Sequence, residues 1–241
     1  MRRARLFLVL VLIPWLLGFG GVSVGLLSSP AIGGYATPAV VQSNSAYNSG
    51  SSVSPATLSS SATAGNVLVL WVSGLSSVTS TSVSGGGVSS WSSIELSCAG
   101  ASTYGKLFYG VTTGGSVSIT ISNEPSDPGY SLVELSGINT TSPVHANTSS
   151  GCTRTAIGGG LTSASVNTTV PTLLLGIVAS GITPLSSWGS GWTQVTAQSS
   201  HYHGTAYRVA SSSGSYSLTG VAGVSDVDLD VHVVAFGAAP L

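Results

Sequence analysis

The densest group of side chains that could do chemistry lies near the carboxyl terminus. Four polar residues alternate there with valine and leucine: Asp226, Asp228, Asp230 and His232. In a β-strand this alternation places the polar side chains on one face and the apolar ones on the other. Neighbouring carboxylates could hold a structural Ca²⁺, which takes oxygen ligands. We favour the alternative, a solvated strand face whose negative charges discourage edge-to-edge pairing.

A second candidate for acid-base chemistry is Glu134, which lies inside the apolar run 132–135. An isolated carboxylate would be costly to bury there. A glycosidase would need a second carboxylate about 5 to 10 Å away, and nothing in the spacing ties Glu95 or Glu124 to that position. We therefore expect Glu134 to form an ion pair with one of three basic residues: Lys106, Arg154 or Arg208.

Serine and histidine do not combine into a recognisable nucleophilic site. A Gly-x-Ser-x-Gly pattern occurs at residues 21–25, but it lacks the strand, turn and helix of a nucleophile elbow. Serine is so abundant that one would lie near any histidine in any fold, so proximity cannot support a triad. His201 and His203 alternate like strand neighbours, but no third metal ligand is identifiable. We predict no catalytic residues and no enzymatic activity.

Aromatic side chains could instead stack on sugar rings. Three tryptophans occupy strand-like or repeated positions and are interpreted as packing residues: Trp71, Trp91 and Trp192. Three other aromatics lie among turn residues or near strand starts and are the candidates for a ligand-binding surface: Trp188, Tyr104 and Tyr202. A partly buried surface tryptophan is the commoner arrangement.

The amino terminus has the layout of a secretory signal. Three arginines precede an apolar stretch at residues 6–17, and small residues follow. We expect export with cleavage after Ala31 or Ala36, so that residues 1–36 form a signal peptide. The alternative is an uncleaved anchor, because residues 6–27 are uncharged and long enough to span a bilayer. Four glycines and Pro14 argue against that alternative.

If the chain is exported, its cysteines and asparagine sequons predict covalent modifications. Cys98 and Cys152 are the two cysteines of the chain, and an even number in an exported protein predicts one disulfide. Asn139, Asn147 and Asn167 each begin an Asn-x-Ser/Thr sequon, which predicts glycosylation if the host attaches N-linked glycans. Chance is the alternative for the sequons, because the chain is rich in serine and threonine.

Composition narrows the classes of protein further. The chain has 241 residues, of which 5% are charged and 42% are hydrophobic, whereas an ordinary soluble domain has about 25% charged residues. Such a chain can bury a sizeable core, but it has too few basic groups to bind nucleic acid. We therefore predict no nucleic-acid partner and no cofactor other than the Ca²⁺ considered above.

The sequence predicts that β-strands position these residues. Short runs rich in β-branched residues alternate with clusters of glycine, serine, proline and asparagine, and no amphipathic helical spacing is found. The fold is therefore predicted to be all-β. Strands are predicted at residues 40–46, 67–73, 107–111, 117–122, 132–135, 173–179, 206–210, 216–219 and 227–236.

The chain also contains a weak internal duplication. Residues 64–138 and 170–237 present similar strand series in the same order, joined by a connector at residues 139–169. Two copies predict two facing antiparallel sheets in one domain, residues 37–241. Residues 40–46, 64–74, 132–138 and 189–193 also resemble a widespread jelly-roll domain of prokaryotic secreted, cell-surface and phage-tail proteins. This resemblance implies a jelly-roll fold and an extracellular setting, but no reaction.

Together these features predict a non-enzymatic extracellular β-sandwich with a structural or adhesive role at the cell surface, such as a filament or envelope subunit. The alternative is a carbohydrate-binding module, and an acid-stable hydrolase is a third reading. The expected partners are glycans or other copies of the chain. A membrane is a partner only through the amino-terminal segment if it is not cleaved. Strand exchange through residues 28–37 is one route to assembly, and we favour a monomer over it.

Overall fold

The computed structural model describes residues 34–96, 103–148, 160–179, 185–195, 204–222 and 230–241. Within these ranges every regular secondary-structure element is a β-strand, and every strand pairing is antiparallel. The predicted all-β class is therefore confirmed. This part of the chain contains no helix able to cross a membrane. Residues 1–33, which hold most of the predicted signal segment, lie outside it.

The strands fall into two series along the chain. The first half comprises β1 (Ala39–Tyr47), β2 (Ala56–Thr57), β3 (Val67–Gly74), β4 (Ser82–Gly85), β5 (Ser92–Glu95), β6 (Tyr104–Val111), β7 (Ser118–Ser122) and β8 (Gly129–Ser136). The second half comprises β9 (Val144–Asn147), β10 (Gly160–Thr162), β11 (Val166–Thr168), β12 (Thr172–Ala179), β13 (Leu185–Trp188), β14 (Thr193–Gln194), β15 (Gly204–Ala210), β16 (Gly214–Tyr216), β17 (Thr219–Ala222) and β18 (Asp230–Gly237).

The two halves repeat one strand order. The first half forms a five-stranded sheet in the order β1-β8-β3-β6-β5 and a three-stranded sheet in the order β2-β7-β4. The second half forms a five-stranded sheet in the order β14-β15-β12-β18-β9 and a three-stranded sheet in the order β10-β17-β13. Each five-stranded sheet therefore has the same connectivity, and β9 to β11 lie within the segment that the sequence indicated as a connector.

Alternation along the central strands builds three apolar layers. In β3, Val67, Val69 and Trp71 join a central cluster together with Leu173 and Leu175 of β12, so the two five-stranded sheets face each other. The residues between them in each strand point the other way and pack against the three-stranded sheet of their own half. The predicted pair of facing sheets thus carries an outer sheet on each side.

The buried tryptophans lie where they can fill these layers. Trp71 is fully buried, and a Cβ atom at Gly105 would overlap its ring, so glycine is required beneath the indole. Trp192 is also buried, whereas Trp91 is half-buried and donates a hydrogen bond from Nε1 to the carbonyl of Gly85 at 3.3 Å. All three pack against apolar clusters, as the sequence predicted.

Short strands were the least predictable elements. The predicted strand at residues 216–219 is wrong, because β16 ends at Tyr216 and β17 begins at Thr219. Between them the amide of Leu218 donates to the hydroxyl of Ser163 at 2.9 Å, which replaces a strand hydrogen bond. The sequence did not predict eight short strands, because their few residues carry little periodic signal: β2, β4, β5, β9, β10, β11, β13 and β14.

The two ends of the described chain pair with each other. Tyr35 bridges to Pro240, the amide of Ala36 donates to the carbonyl of Ala239 at 2.8 Å, and the amide of Leu241 donates to the carbonyl of Gly34 at 2.9 Å. The described part of the segment considered for strand exchange is therefore paired within its own chain.

Candidate functional site

The carboxylate of Glu134 is completely buried between the sheets of the first half and accepts three hydrogen bonds. Oε1 accepts from the backbone amide of Thr63 at 2.8 Å and from Nδ2 of Asn66 at 2.6 Å. Oε2 accepts from Nε2 of Gln42 at 2.7 Å. The predicted ion pair is wrong for Lys106 and Arg208, since amide groups stabilise this carboxylate instead. Arg154 lies outside the described residues.

Two other carboxylates, those of Glu124 and Asp127, hold the loop after β1. Glu124 accepts hydrogen bonds from the amides of Val53 and Ser54 at 3.0 and 2.9 Å and from the hydroxyl of Ser52 at 2.9 Å. Asp127 accepts from the amide of Gly50 at 2.8 Å. These groups line a shallow cleft of about 340 Å³. Both side chains thus serve as fixed acceptors for the loop 49–54.

The exposed Glu95 and its neighbour Lys106 also bind the framework. Glu95 accepts a hydrogen bond from Oγ1 of Thr79 at 3.1 Å. Lys106 lies opposite Glu95 in the ladder, and its ammonium donates to the carbonyls of Thr79 and Thr81 at 3.1 and 3.0 Å. The same ammonium lies 5.3 Å from the ring centroid of Phe108. Among the described residues, Glu95, Glu124 and Glu134 each accept hydrogen bonds from different partners.

The alternating acidic run is buried where the structure describes it. Asp230 and His232 are 1% and 0% exposed, so the expectation of a solvated face is wrong for this end of the run. The reason is that β18 lies between β12 and β9, and its face that carries these residues turns toward the first half. Asp226 and Asp228 lie outside the described residues, and within the described ranges no three metal-binding side chains come together. The Ca²⁺ site stays a prediction.

The His232 imidazole is held in one tautomer. Nδ1 lies 2.9 Å from the carbonyl of Thr148, and because a carbonyl can only accept, Nδ1 carries the proton. Nε2 is buried and has no hydrogen-bond partner in the part of the chain that the structure describes. Burial lowers the pKa of His232, and the bond to Thr148 opposes this shift only in part. This histidine is therefore a neutral interior side chain.

The aromatic candidates for ligand binding are not brought together. Trp188 is half-buried on β13, in an outer sheet of the second half, and packs against the apolar layer there. Tyr104 is half-buried at the start of β6, in the five-stranded sheet of the first half. Tyr202 lies outside the described residues. The two described aromatics thus lie on different sheets in different halves.

One cation-aromatic contact was not predicted. The Arg208 guanidinium lies 5.3 Å from the ring centroid of Tyr216, and the Tyr216 hydroxyl donates to the carbonyl of Ser212 at 2.9 Å. Gly191 lies close enough that a Cβ atom there would be 3.5 Å from Nε of Arg208. No local sequence signal indicates this contact, because the residues come from three separate segments.

The modification candidates differ in their surroundings. Asn139 is half-buried, and its side-chain oxygen accepts hydrogen bonds from the amides of Thr141 and Ser142 at 3.0 and 3.2 Å. Asn147 and Asn167 are exposed. Cys98 and Cys152 lie outside the described residues, so the disulfide stays a prediction.

The fold defines the class of this protein as all-β, with stacked antiparallel sheets compatible with a β-sandwich. Comparison with protein-family models, curated proteins and solved structures finds no match.

Proposed function

We propose that this chain is an exported, non-enzymatic β-sandwich protein with a structural or adhesive role at the cell surface, as a filament or envelope subunit. The observation that carries the proposal is the use of its carboxylates. Glu95, Glu124, Asp127 and Glu134 accept hydrogen bonds from the framework, and Asp230 is buried. A general acid or base must instead reach a substrate proton.

The outward-facing residues of β4 and β7 in the first half form a surface that is polar but uncharged. Alternate residues of β4 and β7 are exposed and carry hydroxyl groups, and the residues between them point into the apolar layer. The exposed set is Ser82, Ser84, Ser118, Thr120 and Ser122. Hydroxyl groups hydrate without titrating, which suits a protein that meets changing pH and salt outside the cell.

We further infer that the two halves together form one jelly-roll-type sandwich, as the sequence resemblance implies. The shared strand order of the two five-stranded sheets supports this inference, and so does the apolar layer between these two sheets. The duplicated architecture favours a rigid building block over a hinged catalytic cleft.

Cell fractionation with an antibody against the purified protein tests the proposed location. We expect the protein in the envelope or surface fraction of its native cells, and a cytoplasmic protein would overturn the proposal. A broad glycosidase and protease screen of the same sample tests the absence of enzymatic activity. Activity that Glu134→Gln abolishes while the variant remains folded would revive the hydrolase.

Carbohydrate binding is the second candidate function, because the Trp188 ring remains partly exposed on its sheet. A glycan array with the purified protein tests this candidate. Selective binding that is lost in Trp188→Ala and kept in Trp91→Ala would favour the module, since Trp91 is an equally half-buried tryptophan in the other half. Binding to no glycan would favour the structural role.

A further inference from the structure

The asparagines of this chain divide into two groups by what their side chains do. All seven lie in the described ranges. Five have a side-chain amide that forms hydrogen bonds with the framework: Asn44, Asn48, Asn66, Asn123 and Asn139. The other two, Asn147 and Asn167, are exposed, and within the described residues their side chains make no hydrogen bond. Packing and hydrogen bonding therefore account for five asparagines and leave two unexplained.

The positions of these two residues make the contrast sharper. Asn147 is the last residue of β9, and Asn167 is the middle residue of β11. Asparagine is depleted in strands, because its side chain competes with the backbone for hydrogen bonds. Val166 and Thr168 are buried on either side of Asn167, so the Asn167 side chain points outward.

Both unexplained asparagines begin an Asn-x-Ser/Thr sequon, whereas only one of the five explained asparagines does. That one is Asn139, whose side-chain oxygen already holds the turn at Thr141 and Ser142. We propose that Asn147 and Asn167 carry N-linked oligosaccharides and that Asn139 does not. This inference rests on export of the chain, because the glycosylation machinery acts on exported proteins.

The chemistry of the modification is a group transfer from a lipid-linked oligosaccharide phosphate. The side-chain nitrogen forms a bond to C1 of the first sugar, and the bond from that C1 to the phosphate oxygen breaks. One amide hydrogen leaves the nitrogen and protonates the released phosphate, so no oxidant or reductant is needed. The reaction requires an accessible carboxamide that can turn its nitrogen toward the sugar. Asn147 and Asn167 are exposed, whereas the Asn139 carboxamide is half-buried and its oxygen is fixed by the amides of Thr141 and Ser142.

The two glycans would cover one sheet edge. β9 is an edge strand of the second five-stranded sheet, and β11, which pairs with β16 in a two-stranded sheet, lies next to β9. The imidazole Nε2 of His145 accepts a hydrogen bond from the amide of Thr169 at 3.2 Å and joins the two segments. An open strand without lysine or proline can pair with another chain, and bulky glycans on both sides would block that approach.

Peptide mapping by mass spectrometry of the protein purified from its own cells tests the inference. We expect a hexose-containing mass increment on the peptides with Asn147 and Asn167, and an unmodified Asn139. Asn147→Gln and Asn167→Gln should each remove one increment from the intact mass, while the control Asn139→Gln should remove none.

Each other outcome overturns a defined part of the inference. An exported protein without modification at Asn147 and Asn167 would overturn it and leave the proposed function standing, and a glycan on Asn139 would contradict the selection among sequons. A protein that is neither exported nor modified would overturn both proposals. If the Asn147→Gln, Asn167→Gln double variant sediments as the glycosylated protein does, protection of the β9 edge is wrong.

Discussion

The two halves fill the same position of their central strands with side chains of opposite size. In the ladders, Leu70 of β3 and Gly176 of β12 occupy equivalent places. A Cβ atom on Gly176 would lie 2.9 Å from the ring of Trp192 and 2.7 Å from Leu218. Trp192 therefore enters the core of the second half, whereas its counterpart Trp91 stays half-buried against the cluster that contains Leu70 in the first half. One strand order thus accepts two distributions of core volume.

The halves also differ in how they treat a buried polar position. In the first half Asn66 precedes β3 and donates to Glu134, so both side chains are paired. In the second half the equivalent residues are Thr172 and Ala235. The Ala235 side chain offers no acceptor, and among the described residues Oγ1 of Thr172 is buried without a hydrogen-bond partner. The first half thus buries a carboxyl group with three donors, and at the equivalent place the second half leaves one hydroxyl unpaired.

The largest expected effect tests the difference in core volume between the two halves. Trp192→Ala should lower the free energy of unfolding by about 4 kcal/mol, because it empties a buried ring site. Trp91→Ala should lower it by about 1 kcal/mol, since that ring is half-buried. Urea denaturation measures both values. Combining Trp192→Ala with Gly176→Leu should recover part of the loss, and strict additivity would contradict the proposed exchange of volume.

The comparison of the buried polar positions predicts that Glu134→Ala lowers the free energy of unfolding by about 3 kcal/mol. The substitution removes the acceptor of the Thr63 amide and the Asn66 side chain and leaves these part-buried donors without it. Glu95→Ala is the matched control, because that carboxylate is exposed and should contribute less than about 1 kcal/mol. Equal unfolding free energies for the two variants would show that burial of Glu134 has no energetic consequence.

We expect the free energy of unfolding to depend on pH through His232. Its equivalent in the first half is Ser131. Burial lowers the pKa of folded His232 below the value of 6.5 in the unfolded chain. The unfolded state therefore binds the proton first, and stability falls as pH decreases below about 6.5 toward the folded pKa, by at most about 1.4 kcal/mol per pH unit.

Urea denaturation between pH 7.5 and 5 measures this slope. His232→Ser should flatten it, because serine does not titrate in this range. A slope that His232→Ser does not alter would assign the pH dependence to another group.

The smallest expected effect has the opposite sign. Thr172→Val removes the unpaired buried hydroxyl and keeps the shape of the side chain, so stability should rise by up to about 1 kcal/mol. Thr205→Val is a comparison variant, because Thr205 is buried but takes part in an interaction. A loss of stability in Thr172→Val would mean that its hydroxyl has a partner in solution.

The sequence predicted the central strands and missed the polar contacts for one physical reason. β3 and β12 are runs of eight buried residues, so local composition reveals them. The donors of Glu134 come from positions 42, 63 and 66, and no local pattern connects them to residue 134. Likewise, alternation placed Asp230 and His232 on one face, but only the packing of the halves determines that this face is covered.

Immunogold electron microscopy of native cells tests the central claim most directly. With an antibody raised against the purified protein, we predict gold particles on the outer surface of intact, unpermeabilised cells, on the envelope or on filaments. Cells that lack the chain should show no such labelling. Particles confined to the interior of sectioned cells, with none on intact cells, would contradict a structural or adhesive role at the cell surface.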